Sequence, residues 1–322
     1  MPPIRRSSRL ASPSPPWETL PLTQLIQQRC RERVLVDPLE WTDVHLELLQ
    51  CRFEEAPPTP LRKEHEDKVD KMLLPPKYHR AVEGLPTASQ AGERESLIRT
   101  IISSNGSPLF RGGDPIAFYY NRLLVRDLPG CQSFISSRYS TDRAWGTAWR
   151  APIALVTVDC EALAHHRFEQ MEPYRGRRWS QATNGVHLRQ AKRITPSNRL
   201  RDPYLVAILI AIAFQQRQKT TSRIRSKASY WPQVLMTDRG DECVHLFAAH
   251  ISSDYLNKFD FPSSEPRKSA QHPLVVHHLP VQIKPYDTFR RRLLTVLLNT
   301  AEYCTGVPVP RSSRLSRPVW LR

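Results

Sequence analysis

The stretch DPYLVAILIAIAFQQRQ, residues 202–218, decides the fold. Asp202 can accept hydrogen bonds from the free N–H groups of a first helical turn, and Pro203 suits the first helical position, where its missing N–H would have no partner. An unbroken apolar run follows from Tyr204 to Phe214. Because a helix that is apolar on every side must be buried on every side, the run predicts a core helix. It rises only about 16 Å at roughly 1.5 Å per residue, which is too short to span a membrane.

The patterns after residue 150 predict a small mixed sheet around this helix. The last predicted strand contains Pro280, which cannot donate to a ladder and therefore favours an edge position or a bulge. We predict an α+β or mixed α/β fold with about four strands within residues 151–303. The predicted strands are 153–158, 231–237, 242–251 and 274–283, and the helices expected beside the core helix are 160–171, 252–259 and 287–303.

The remaining segments differ from this core domain in composition. Residues 1–16 and 304–322 are basic and contain Pro and Ser, and we expect disordered tails there. Residues 17–102 are predicted to be a helical region and residues 103–150 an irregular linker. Within the core domain, residues 173–201 are also predicted to be irregular. The helices expected in the first region are amphipathic or charged and span 19–34, 40–53, 61–74 and 88–102.

The chain has the features of an intracellular protein without a cofactor. Its first residues lack the apolar segment of a signal peptide, and no apolar run approaches about 18 residues, so we predict neither export nor a membrane contact. None of the six cysteines forms a C-x-x-C pair, which argues against a zinc ribbon or a thioredoxin motif. We expect reduced thiols, a nuclear or cytoplasmic location, and no bound metal or cofactor.

The net charge of +16 is concentrated in one basic block. Residues 175–227 hold thirteen bases and one acid, a net charge of +12, whereas residues 37–70 hold four bases and ten acids, a net charge of −6. Clustered Lys and Arg gain affinity for nucleic acid or another polyanion by displacing counterions, and an aromatic side chain among them can stack on bases. The alternative is a solvated basic surface. The candidate nucleic-acid-binding residues are Arg175, Arg177, Arg178, Trp179, Lys192 and Arg193.

Carboxylates that follow two predicted strands are the candidates for metal-dependent chemistry. Asp159, with Glu161 close behind it, ends one strand, and Asp238 ends another, so together they would hold a divalent metal ion. The competing interpretation is that Asp159 caps the helix that follows it. A nucleophilic mechanism has less support, because G-x-S-x-G is missing and because Cys160 and Cys243 lie in apolar stretches, where a thiol acts as a small hydrophobe.

The histidines are poorly spaced for a shared metal ion. The adjacent pairs at 165–166 and 277–278 would direct their rings apart, and on a strand the second pair would face opposite sides of the sheet. His245 and His250, five positions apart on one predicted strand, would also face opposite sides. Because zinc requires three or four converging ligands, we expect these histidines to be structural.

Several phrases resemble a group of uncharacterised proteins of Ascomycete-type filamentous fungi. The resemblance covers most of residues 35–300 and implies one domain, but it implies no activity, cofactor or site residue. The phrases are DPLEW (37–41), FEEAPPTPLRKEHEDKV (53–69), DPYLVAILIAIAFQQRQ (202–218), VHLFAAHISSDYLNKFDFP (244–262) and KPYDTFRRRLL (284–294).

The predicted strand order is also similar to that of restriction-endonuclease-like nucleases. That family requires an acid on one strand and an acid-x-Lys motif on the next, which hold Mg²⁺ and polarise water. Here the second strand begins Glu242-Cys243-Val244, without the Lys, and this departure argues against the activity.

Three hypotheses for function follow. The first is a non-enzymatic intracellular interaction protein with a protein partner, because the acidic helices and the basic block offer two unlike surfaces. The second is a nucleic-acid-binding protein that uses residues 175–227. The third is a Mg²⁺-dependent nuclease or hydrolase of restriction-endonuclease-like type that uses Asp159.

Overall fold

The computed structural model describes residues 20–56, 76–103, 107–136, 153–171, 181–219, 229–267, 270 and 272–300. Within these ranges the α-helices are α1 (Leu22–Gln28), α2 (Asp43–Leu48), α3 (Pro76–Gly84), α4 (Ala91–Ser103), α5 (Cys160–Met171), α6 (Gln181–Ile194), α7 (Pro203–Lys219), α8 (Ser253–Asp260) and α9 (Tyr286–Leu298). The strands are β1 (Cys51–Glu55), β2 (Leu109–Arg111), β3 (Ala117–Tyr120), β4 (Leu123–Asp127), β5 (Gln132–Ser136), β6 (Ile153–Asp159), β7 (Ser229–Tyr230), β8 (Gln233–Thr237), β9 (Cys243–Ala249), β10 (Ile251–Ser252) and β11 (Leu274–Gln282).

Seven of these strands form one mixed sheet in the order β1-β11-β9-β8-β6-β5-β2. The pairs β1/β11 and β6/β8 are parallel, and the other neighbours are antiparallel. The remaining described strands form two small antiparallel pairs, β3/β4 and β7/β10. The mixed α and β composition is therefore as predicted.

The prediction of about four strands within 151–303 was wrong, because the sheet takes three further strands from residues before 151. β1 begins inside the segment 40–53 that was predicted to be one helix. That helix ends at Leu48, and Gln50 has a positive φ of 55°, which reverses the chain into β1. β2 and β5 lie in the segment predicted to be a linker. These strands are short and mix polar with aromatic residues, so their period of two is hard to recognise.

The core helix is confirmed as α7. The Oδ1 of Asp202 accepts a hydrogen bond from the N–H of Tyr204 at 2.9 Å, which satisfies a free donor of the first turn. Every side chain from Tyr204 to Phe214 is buried. Asp202 is itself buried and forms an ion pair of 2.5 Å with Arg167 of α5. The buried carboxylate of Asp202 thus has a cationic partner and a hydrogen-bond donor, which a buried charge requires.

Helices cover both faces of the sheet. The core helix α7 packs on one face, against residues such as Val156, Val234 and Phe247. The other face carries a second apolar cluster, which α3, α4 and α9 share with residues such as Leu155 and Leu246. No helix in the described part of the chain is both long and apolar enough to cross a membrane.

Two further predictions have different outcomes. Residues 173–201 were predicted to be irregular, but α6 occupies Gln181–Ile194, so that prediction was wrong there. This helix has Gly185 in its interior, and none of its residues from 185 to 194 is buried, so the sequence lacks the apolar stripe typical of a packed helix. Pro280 pairs with His245 of β9, whereas β1 covers only Leu274–His278 of β11. Pro280 therefore lies at a locally open edge, as predicted. The helix predicted at 61–74 lies outside the described residues.

Candidate functional site

Asp159, the residue proposed for metal chemistry, has structural partners around its whole carboxylate. Arg94 of α4 donates from Nε to Oδ2 at 2.7 Å and from Nη2 to Oδ1 at 2.8 Å. Thr237 donates to Oδ2 at 2.8 Å. The N–H groups of Glu161 and Ala162 reach Oδ1 at 3.1 and 3.2 Å, which is the helix cap considered as the competing interpretation. Asp159 joins α4, β6, β8 and α5.

The other two acids of that hypothesis also have arginine partners. Glu161 accepts from Nη2 of Arg94 at 2.8 Å, and Asp238 accepts from Nη1 of Arg199 at 2.8 Å. Each carboxylate is thus engaged by a permanent cation, which competes with Mg²⁺ for the same oxygens. The arrangement gives no support to a metal site made from Asp159 and Asp238.

A convergent cluster lies instead at the start of β9. Asp241, Cys243 and His245 each offer one metal-binding atom, and these atoms all lie within 4.8 Å of one another. The Sγ of Cys243 lies 3.3 Å from Oδ1 of Asp241 and 3.6 Å from Nε2 of His245. That nitrogen lies 2.7 Å from Oδ2 of Asp241. The residues are two positions apart, so the period of a strand places them on one side.

A second histidine, His278, contacts the ring nitrogen of His245 that faces away from the cluster. His278 of β11 places its Nε2 2.9 Å from Nδ1 of His245, the ring nitrogen that faces away from Asp241. The ring of His278 stacks on that of Phe247, with the ring centroids 5.0 Å apart and an angle of 17° between the ring planes. Burial lowers the pKa of His278 to about 4, with a further contribution from the neighbouring His245. His278 is therefore a neutral hydrogen-bonding partner near pH 7.

The cluster is not a Cys–His–Asp nucleophile system. In such a system the base contacts the nucleophile with one ring nitrogen and the orienting acid with the other. Here Cys243 and Asp241 both approach Nε2 of His245. Burial, together with the adjacent Asp241, raises the pKa of Cys243 to about 12, so the metal-free thiol is protonated near pH 7. Partial burial raises the pKa of Asp241, but bonds from His245 and Cys243 outweigh it and hold that pKa below its ordinary value.

Sequence reasoning missed this cluster, although part of its signal was present. The spacing Asp-x-Cys-x-His at the start of a strand places three ligand types on one side. The metal-ligand spacings recognised in the sequence were those between histidines alone, namely the adjacent pairs and the pair His245 and His250. The contact with His278 had no local signal, because it depends on the register of β9 with β11. As predicted, the adjacent residues His277 and His278 do not converge on one ligand position.

An apolar cavity of about 310 Å³ lies between α1, α2 and the β3/β4 pair. Two of its polar lining residues are already engaged, because Asp37 accepts from Leu39 N–H and Arg126, and His45 bonds Thr42 and Val34. The other lining residues with a polar side-chain atom are Trp41 and Tyr120, and the rest of the wall offers apolar contact. Its apolar lining includes Leu22, Ile26, Trp41, Leu48, Phe118 and Phe259.

Four cations within the described part of the basic block are exposed, and together we call them the basic face. It consists of Arg189, Lys192 and Arg193 of α6 together with Arg201. Within the described residues none of these four side chains forms an ion pair, and no acid occurs between 175 and 201 in the sequence. The remaining candidates, Arg175, Arg177, Arg178 and Trp179, lie outside the described residues.

The basic face contrasts with arginines elsewhere on the described surface. Arg29, Arg126 and Arg217 pair with Glu47, Asp37 and Asp260, respectively. Lys192 and Arg193 lie in the last turn of α6, where the partial negative charge of the helix end attracts cations. This attraction does not explain Arg189, which lies one turn earlier, or Arg201, which lies beyond the helix.

Comparisons of the chain with protein-family models, with curated proteins and with solved structures give no match. The resemblance to filamentous-fungal proteins therefore stays a prediction. Function has to be argued from the two features that the fold builds from this sequence, the basic face and the Asp241–Cys243–His245 cluster.

Proposed function

We propose that the protein is a non-enzymatic binding protein whose basic face holds a nucleic acid through its phosphates. The observation that carries this proposal is a set of exposed cations on one side of α6 that form no ion pair with any residue the structure describes. Arg189 and Arg193 are four positions apart, and Lys192 lies three positions after Arg189, so all three share a helix face. A polyanion binds such a face by releasing its own counterions.

In the protein without a bound polyanion, the like charges on α6 repel one another and destabilise the helix. Like charges at i,i+4 on a helix destabilise it by about 0.2–0.5 kcal/mol, and Arg189 and Arg193 form such a pair without an acid between them. Phosphates placed along the face would convert this repulsion into attraction. Two exposed apolar side chains, Val186 and Leu188, flank the cations and offer contact surface for sugars or bases. A surface that contacts only solvent would gain no stability from clustered cations flanked by exposed apolar side chains.

The part of the proposal that the protein is not an enzyme is supported by separate observations. Asp159, Glu161 and Asp238 are held by Arg94 and Arg199, and Cys243 is protonated near pH 7. A nuclease of the restriction-endonuclease-like type would need free carboxylates that converge on a metal ion. A protein partner with an acidic surface remains the alternative occupant of the basic face, and the experiment below separates it from nucleic acid.

The test is fluorescence anisotropy of labelled DNA and RNA oligomers with the whole chain, at about 50 mM and about 200 mM salt. We expect binding that weakens by about 10- to 50-fold over this range if three cations contact phosphates. The variant Arg189→Ala/Lys192→Ala/Arg193→Ala should bind at least tenfold more weakly at the lower salt concentration. Addition of Mg²⁺ should not cleave the oligomer.

The matched control is Arg31→Ala/Lys77→Ala/Arg111→Ala, which removes three exposed cations outside the basic face. It changes the net charge equally and should bind like wild type. Equal binding by wild type and the α6 variant would overturn the proposal and assign any affinity to other basic segments. Failure of wild type to bind any oligomer would leave an acidic protein partner as the better hypothesis. Mg²⁺-dependent cleavage would overturn the non-enzymatic part.

A further inference from the structure

We propose that Asp241, Cys243 and His245 form a binding site for one zinc ion, with His278 as the outer partner of the histidine ligand. This inference does not depend on the basic face. It differs from the sequence-based expectation of no metal and no cofactor. It starts from the geometry of three side chains that β9 and the turn before it bring together.

Two of the three separations among these side chains fall in the range of a tetrahedral ion, and the third is shorter. Around zinc with bonds of about 2.0–2.3 Å, neighbouring ligand atoms are separated by roughly 3.3–3.6 Å. The Sγ of Cys243 lies 3.3 Å from Oδ1 of Asp241 and 3.6 Å from Nε2 of His245. The separation of 2.7 Å between that nitrogen and Oδ2 of Asp241 is a hydrogen bond. A zinc ion that replaces the shared proton would widen this edge by roughly 0.6 Å.

The donor types select the metal. A thiolate and an imidazole favour zinc and disfavour Mg²⁺ and Ca²⁺, which require oxygen ligands. Three protein ligands leave a fourth tetrahedral position for water or an incoming group, as in zinc sites that are open to solvent. The side chain of Asp241 is 35% exposed, whereas that of His245 is 7% exposed, so the open position lies on the solvent side of Asp241.

The contact with His278 is the kind of support that metal-bound histidines have. A ligating histidine uses one ring nitrogen for the metal and donates the other N–H to a fixed acceptor. Nε2 of His278 lies 2.9 Å from Nδ1 of His245 and is held in place by the stack on Phe247. A neutral imidazole nitrogen can donate or accept. The pair therefore persists whether the proton of His245 is on Nε2 without metal or on Nδ1 with metal.

The simplest alternative is a polar network that only satisfies its own hydrogen bonds. Asp241, His245 and His278 already form a complete chain of bonds. That network has no need of Cys243, whose thiol is a weak donor at 3.3 Å from Asp241. The experiment must therefore ask whether the sulfur binds the ion.

Co²⁺ and Zn²⁺ added to the whole chain after chelator treatment test the site directly. We expect one equivalent of Co²⁺ to give the visible bands of a tetrahedral ion and a thiolate-to-cobalt charge-transfer band, and one equivalent of Zn²⁺ to remove both. Cys243→Ser should abolish the charge-transfer band and weaken Zn²⁺ binding at least tenfold. The control Cys30→Ser, which changes an exposed thiol outside the cluster, should behave like wild type.

Two more variants keep the proposal falsifiable if Cys243→Ser folds poorly. Asp241→Asn changes a partly exposed turn residue and should weaken Zn²⁺ binding without loss of the charge-transfer band. His278→Phe should weaken binding by about 10- to 100-fold and keep the cobalt spectrum, because it removes only the outer partner. The proposal is overturned if wild type binds no metal ion with a stoichiometry of one. It is also overturned if the charge-transfer band survives in Cys243→Ser or disappears in Cys30→Ser.

Discussion

Arg94 and Arg290 both have buried side chains, but their surroundings differ. The guanidinium of Arg94 donates to Asp159, to Glu161 and to the carbonyl of Ala88. The Nε and Nη2 of Arg290 have no hydrogen-bond partner within the described structure, and its guanidinium lies 5.8 Å from the ring centroid of Tyr78. Burial lowers the pKa of Arg290, which is the direction expected for an unpaired buried cation.

Arg94→Met should therefore be severely destabilising. The substitution preserves much of the side-chain volume but leaves the Asp159 carboxylate buried without its ion-pair partner. Removal of one member of a buried ion pair costs about 3–5 kcal/mol. Urea denaturation followed by circular dichroism would measure the loss in the free energy of unfolding.

Arg290→Met is the matched control at the same scale. Because it removes a buried charge that has no ion-pair partner among the described residues, it should leave the free energy of unfolding unchanged or raise it. An equal loss of stability in both variants would contradict the difference that we infer between the two sites.

At the scale of elements, α7 gives the fold its centre. Its Ala207 and Ile210 are fully buried, and neither has a polar neighbour on the helix that could pair with an introduced charge. Ile210→Asp or Ala207→Asp should unfold the domain, because an unpaired buried charge costs several kcal/mol. The control Gln218→Asp introduces the same charge at an exposed position near the helix end and should cost only about 0.3–1 kcal/mol. Normal thermal melting of Ile210→Asp would show that α7 is not the core.

His45, near the start of α2, leads us to predict how the stability of the protein depends on pH. His45 is buried, accepts a hydrogen bond from Thr42 N–H with Nδ1 and donates one from Nε2 to the carbonyl of Val34. Burial lowers its pKa from the ordinary value of 6.5, although the backbone bonds and Glu32 oppose this shift. The unfolded chain therefore binds the proton more readily. The contribution of His45 to stability is complete above about pH 6.5 and declines as the pH falls below it.

His45→Asn is the corresponding variant, because an amide oxygen can still accept the Thr42 N–H bond. We expect it to be less stable than wild type near pH 7, since the carbonyl of Val34 loses its donor. Its stability should also fall less between about pH 6.5 and about pH 5, since the titrating ring is gone. Chemical denaturation at several pH values measures both differences. A decline identical to that of wild type would rule out His45 as a source of the pH dependence.

These elements also show what the sequence can predict. The apolar run of α7 and its Asp202 cap are local signals, and both interpretations are confirmed. β1 and α6 were missed because β1 gains its stability from pairing with β11, and α6 has no buried residue from 185 to 194. The Asp159 cap was foreseen, but its partner Arg94 is 65 positions away and was not. The link from His245 to His278 likewise requires a strand register that no local pattern contains.

At the scale of the whole molecule, the turn between β8 and β9 connects the basic block with the proposed zinc site. This turn contains Asp238, which pairs with Arg199 of the basic block, and Asp241, the first ligand of the proposed zinc site. Arg199 in turn lies between α6 and Arg201 in the chain. Asp238→Ala would free Arg199 and should strengthen oligonucleotide binding modestly while the cobalt spectrum stays unchanged. Anisotropy and visible absorption of the same samples would test this.

The central claim is that cations of α6 contact phosphates, and the salt dependence of binding tests it most directly. The logarithm of the association constant should fall linearly with the logarithm of salt concentration, with a slope of about −0.7 to −0.9 for each phosphate contact. We predict that Arg189→Ala/Lys192→Ala/Arg193→Ala reduces the magnitude of this slope by about 2–3 relative to wild type. A variant with the slope of wild type would contradict the account, because its cations would then make no phosphate contacts.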